Sequence, residues 1–151
     1  SGKLAVEIDE YALTTSPVII EIVMQQLKEL GVELILNNFG SGYSGISKIL
    51  ELPVDTLKFE RMFMWQLETN PKSEPIVECL IKASDKLGKR LIAEGVETQR
   101  QLDILEKFGC IYQQGFYYSP TIPQELLASV LGKSMEETKA VLDQEREKLK
   151  R

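Results

Sequence analysis

The sequence predicts an α/β fold built on parallel strands, and three observations predict it. Short apolar runs alternate with amphipathic runs of helical spacing. Glycines stand where the helical runs stop. The order strand, helix, strand, helix repeats, which implies parallel strands joined by right-handed crossovers. The 151 residues suffice for one domain with a substantial core. Periodicity alone leaves two architectures open, a doubly wound open sheet or part of a (β/α) barrel.

Each element has its own signal. LAVEI (4–8) reads as the first strand. Ser16-Pro17 looks like an N-cap followed by proline at the first helical position. From Pro17 a helix places Ile19, Ile20, Val23, Leu27 and Leu30 at helical spacing, and Gly31 stops it. VELIL (32–36) is the second strand. A short helix in YSGISKILEL is ended by Pro53, and VDTLKF (54–59) is the third strand. SEPIVECLIKASDKLG (73–88) opens on a serine cap and closes on Gly88. KRLIAEGVE (89–97) holds the fourth strand. TQRQLDILEKFG (98–109) begins with a T-x-x-Q capping box. CIYQQGF (110–116) is a short fifth strand. Helical stretches at 123–131 and 134–149 close the chain, the last with a capping box from Ser134 to Glu137. Its thin apolar face (Met135, Val141, Leu142, Leu149) reads as a solvated terminal helix or linker, with a contact helix for a partner as the alternative.

Composition removes several chemistries. Net charge is −5 and the pI about 4.9, so no broad basic footprint for a nucleic-acid polymer is expected. There is no histidine, which excludes His-ligated zinc and any histidine base. Cys79 and Cys110 make no CxxC and read as small buried residues in a reducing compartment. No apolar run approaches a membrane span. FGSGYSG is glycine-rich but lacks the Lys-Ser/Thr of a P-loop.

Polar residues collect at strand ends. The first strand gives Glu7, the second Asn37 and Asn38, the third Lys58 and Glu60, the fourth Glu94 and Glu97, the fifth Gln114. Each alone has an ordinary reading: a solvated carboxylate, a turn pair, a surface charge pair, helix caps, a turn. Five successive strand ends carrying such groups point instead to a site, because in a parallel barrel these ends share one rim. Oxygen donors without His or Cys favour hard cations, Mg²⁺ or Mn²⁺, and a lysine among them suits metal-assisted phosphoryl chemistry.

The segments VEIDE (6–10), NNFGSGYSGISKILELPVDTLKFERMF (37–63), AEGVET (93–98) and QQGFYYSPTIP (113–123) resemble the C-terminal part of the EAL domain family. The resemblance covers nearly all of residues 3–131; it implies a partial (β/α) TIM-type barrel of about five parallel strands, with 132–151 as a helical extension. Active members hydrolyse cyclic di-GMP to pGpG with two Mg²⁺ or Mn²⁺ ions in the bacterial cytoplasm. By resemblance Glu7 is a metal-ligating glutamate, Lys58 binds the attacking water, and Glu94 ligates or acts as base. Glu97 supports the site, and Gln114 positions water. Phe39, Gly40, Ser41, Gly42 and Tyr43 match the loop that couples metal binding to dimerisation.

The departures matter as much. Asn37 and Asn38 stand where the family has two metal-binding aspartates, and Glu60 stands where it has another. Two lost anions beside two dications weaken metal binding steeply. The longer glutamate displaces its carboxylate by about 1 Å, a shift that can cost about 100-fold. The reversed strand, the E-A-L glutamate, the following asparagine ligand and the first βα units are expected to be absent. The chain is therefore expected to be a degenerate, catalytically inactive module that binds cyclic di-GMP or a protein partner, with weak or absent metal binding. The alternative is an active phosphodiesterase. Open barrel edges predict a homodimer or domain-swapped assembly.

Overall fold

The computed structural model describes residues 4–40, 42 and 51–149. Ser41, Tyr43 and the short helix read in YSGISKILEL lie outside the described residues. The elements run β1 (Ala5–Asp9), a one-turn α1 (Ala12–Thr15), α2 (Pro17–Glu29), β2 (Glu33–Phe39) and β3 (Thr56–Phe59). Then come α3 (Arg61–Thr69), a 3₁₀ turn (Pro71–Ser73), α4 (Glu74–Lys86), β4 (Arg90–Glu94) and α5 (Gln99–Lys107). β5 (Tyr112–Gln114), α6 (Gln124–Val130) and α7 (Met135–Leu149) complete the order.

The five strands form one parallel sheet in the order β1-β2-β3-β4-β5. A doubly wound sheet reverses its strand order at a switch point. This one never reverses, so it follows the progression of a (β/α) barrel. It does not close: β1 and β5 are its edges among the described residues.

The pleat gives the sheet two unlike faces. Leu34, Leu36, Leu57, Phe59, Leu91 and Ala93 lie on one, all buried, and pack with Met24, Met64, Leu67, Val77 and Leu105 from the helices. The other face carries Glu7, Ile35, Thr56, Lys58, Ile92, Glu94, Tyr112 and Gln114, matched across the sheet by register. At the amino end of this face, Glu33 accepts from Thr56 (3.1 Å) and pairs with Arg90 (2.6 Å), which also lies over the Tyr112 ring.

Several elements differ from the sequence reading. β2 does not stop at Leu36 but continues through both asparagines to Phe39. α3 has no counterpart in that reading. Its apolar residues fall on both sides, with Met64 and Leu67 buried but Met62 and Trp65 exposed, so its spacing is blurred. Ser73 does not cap α4: it already has helical backbone angles, and its hydroxyl donates to Asn70 O (2.6 Å) and Gln66 O (3.1 Å). Ser16 makes no side-chain cap either, although Pro17 opens α2 as expected. The Thr98–Gln101 capping box is present in both halves, as is that of Ser134 and Glu137. α7 is not simply solvated: Leu142 is 6% exposed, and Lys139 lies over the Tyr117 ring at 4.8 Å.

Candidate functional site

The carboxyl rim of the sheet gathers the polar side chains, and β3 supplies the centre. Lys58 is 6% exposed and is the one charged side chain of its wholly buried strand. Its Nζ donates to Glu7 Oε1 (3.1 Å) and Oε2 (3.3 Å), and pairs with Glu94 Oε2 (3.0 Å). Three strands thus converge through one ammonium. Burial pulls the Lys58 pKa down, but the hydrogen bonds and charges of Glu94 and Glu7 outweigh it, and the net shift is upward. Lys58 is a charged bridge at neutral pH. Its partners are Glu7 and Glu94, not Glu60 as an ordinary charge pair would have it.

β2 positions the two asparagines by a bulge. Leu36 pairs with Leu57 and Phe39 with Phe59, so three steps on β2 oppose two on β3. Asn38 is the extra residue, with φ +57°, a left-handed conformation that asparagine tolerates better than most. Without the bulge, strict alternation would turn Asn38 to the core and Phe39 to the rim. With it, Phe39 is buried and stacks near Phe59, 6.4 Å between centroids. Asn38 Nδ2 donates to Asp9 Oδ2 (2.6 Å). Asn37 Oδ1 is buried without a hydrogen-bond partner, a state that costs about 1–3 kcal/mol unless something else engages it.

The other expected residues sit around this centre. Glu94, Glu97, Gln114, Gly115 and Phe116 line a cleft of about 160 Å³. Gln114 contributes its backbone as well, since its carbonyl accepts from Gly95 N (2.8 Å) and Val96 N (3.0 Å). Glu97 is ion-paired with Arg61. Glu60 lines a separate, wider cleft of about 590 Å³ with Asn38, Met62 and Trp65. Arg61 lines both. Of the glycine loop, Gly40 N donates to Glu10 Oε2 (3.0 Å).

The sequence reading gave no role to Asp9, Glu10 or Arg61. Asp9 and Glu10 follow Glu7 at the same strand end, and Glu10 is wholly buried. Arg61 follows Glu60 at the start of α3, the helix that reading lacks. A charged residue in the first helical turn beyond a strand end is the signal that could have found it.

Comparison with known proteins places the chain. The family model described as EAL domain matches residues 1–121. The chain belongs to the EAL domain family, the class of cyclic di-GMP signalling domains. It is 37% identical over 108 residues to the probable cyclic di-GMP phosphodiesterase PdeG of Escherichia coli, covering 71% of this chain and 21% of that protein. The PaMucR phosphodiesterase in complex with c-di-GMP superposes with a TM-score of 0.76 at 31% identity, over 82% of this chain and 50% of that one. The Klebsiella pneumoniae BlrP1 manganese/cyclic di-GMP complex superposes with a TM-score of 0.71 at 28% identity, over 77% and 30%. The chain therefore spans about a fifth to a half of these proteins.

The donors at the rim suit a hard divalent cation in kind, being oxygens only, and the orphaned Asn37 Oδ1 is a carbonyl oxygen open to one. In charge they fall short. Among the described residues no three Asp, Glu or Cys side chains converge as a metal-binding group. Glu7 and Glu94 already share the Lys58 ammonium.

Proposed function

We propose that this chain is a degenerate EAL module of cyclic di-GMP signalling, which binds the nucleotide at the carboxyl rim without cleaving it. The state of the two asparagines is the observation that carries the reading. Asn37 brings an uncharged oxygen where the family pattern has an anion, and Asn38, equally uncharged, donates its amide N–H to Asp9. Lys58 offsets one of the two negative charges beside it and occupies oxygens of both carboxylates. A site of this charge holds Mg²⁺ or Mn²⁺ weakly; Glu7, Asn37 and Glu94 would hold the ion, which would polarise a phosphate oxygen. The nucleotide ligand is supported by the relatives, one of which is in complex with c-di-GMP.

Calorimetric titration of cyclic di-GMP with Mn²⁺ present tests this. A saturable signal with no pGpG product is expected. Sustained heat with pGpG would overturn it. The second reading, an active Mg²⁺- or Mn²⁺-dependent phosphodiesterase, is favoured by the orphaned Asn37 oxygen, which a bound cation would satisfy. Asn37→Asp with Asn38→Asp separates the two. Restored anions should raise turnover by at least 100-fold if charge is what the site lacks. Equal rates before and after would favour the active reading if both are high.

A further inference from the structure

Arg61 stands between the two clefts of the rim and belongs to neither strand end. It is the first residue of α3, directly after Glu60, whose backbone N–H is held by Phe39 O at 3.2 Å. Its guanidinium pairs with Glu97. Its aliphatic stem lies over Gly95: a Cβ there would come within 2.6 Å of Arg61 Cγ, and Gly95 has φ +87°. One side chain therefore ties the exit of β3 to the turn that follows Glu94, the last residue of β4.

We propose that Arg61 is a positioning residue, clamping the Glu94–Glu97 turn so that Glu94 stays on Lys58. The inference rests on the reading of this rim as the nucleotide site. The turn is already held from its far side, where Gly95 N and Val96 N donate to Gln114 O and Glu97 N donates to Gln101 Oε1 (2.7 Å). Arg61 closes the near side. Its side chain is 65% exposed, so its ion pair contributes little to global stability. The effect is local, and this makes the clamp testable apart from folding.

The test compares the wild-type chain with Arg61→Ala, Arg61→Lys and the charge swap Arg61→Glu/Glu97→Arg. Three readouts are taken: amide exchange of the peptide containing Gly95–Glu97, the rate of Lys58 acylation by acetic anhydride, and cyclic di-GMP affinity. In Arg61→Ala the melting temperature should stay close to wild type. Exchange in the turn and Lys58 acylation should each rise about tenfold, and affinity should fall by a similar factor. Arg61→Lys and the swap should return all three toward wild type. Unchanged exchange and acylation in Arg61→Ala would overturn the proposal, as would unchanged affinity in a chain that binds. A defect that neither Arg61→Lys nor the swap repairs would overturn it too. If the wild-type chain binds no cyclic di-GMP while the turn loosens as expected, the clamp stands and the nucleotide reading fails.

Discussion

Lys58 shows how one residue sets the character of the rim. A buried ammonium is tolerated because two carboxylates from neighbouring strands meet it. Lys58→Met would leave Glu7 and Glu94 facing each other without a counter-charge. Both are partly exposed, so water screens them, and the loss in urea denaturation should be about 1–2 kcal/mol. The raised Lys58 pKa fixes a sign. Its stabilising contribution is complete below the ordinary lysine pKa and is lost as pH rises through the higher folded value. Cys110 adds a second loss in the same direction. Burial raises its thiol pKa to about 11, from an ordinary 9.0. Between those values the unfolded chain has given up the proton and the folded chain keeps it, so stability falls as pH rises. Denaturation at pH 8 and pH 10.5 should show the drop, and Cys110→Ala should remove part of it. Of the two cysteines read from the sequence as buried, Cys110 is buried but Cys79 is exposed, on the solvent side of α4. In the native state at pH 8 a thiol reagent should therefore titrate Cys79 quickly and Cys110 only on unfolding.

At the scale of elements, the close approach of β5 to the turn after β4 is the tightest fit in the rim. A Cβ on Gly115 would lie 2.0 Å from Val96 O and 2.4 Å from Val96 N, both backbone atoms that cannot swing aside. Gly115→Ala should therefore lower stability by at least about 2 kcal/mol and lower the melting temperature by several degrees. Heat denaturation followed by circular dichroism checks it. The helices were legible where one face is apolar: α2, α4 and α5 lie where their spacing and terminal glycines put them. α3 was not, because Met62 and Trp65 place large apolar groups on its exposed side. The bulge at Asn38 was not legible either. It follows from a competition between the strand's alternation and the need to bury Phe39, and that need exists only once β3 brings Phe59 alongside.

At the scale of the molecule, one face of the sheet is covered by helices while the rim face is partly open, and both edge strands lack a strand partner among the described residues. Parallel sheets are stable when both faces are covered, and unpaired edges recruit further strands. The chain should accordingly form a homodimer or domain-swapped assembly at tens of micromolar. Light scattering with a clean monomer mass there would refute it. The docking of α7 through Leu142 and Lys139 also belongs to this scale. The thin apolar face of that helix left a contact role only as the alternative reading, because the groups it meets include the Tyr117 ring of a distant turn.

The alternation of strands and helices, the caps of α5 and α7, and the strand ends that carry ligand-type groups were all legible from local sequence. These depend on local spacing and on side-chain chemistry within a few residues. The choice between barrel progression and doubly wound sheet came from long-range strand pairing, since it turns on which strands are neighbours. The fold also decided that Lys58 bridges Glu7 and Glu94 rather than pairing with Glu60, and that Glu60 and Asn38 face a different cleft from Gln114. Those partners lie 51 and 36 residues from Lys58 in sequence, and no local pattern encodes a contact made by sheet register across such distances.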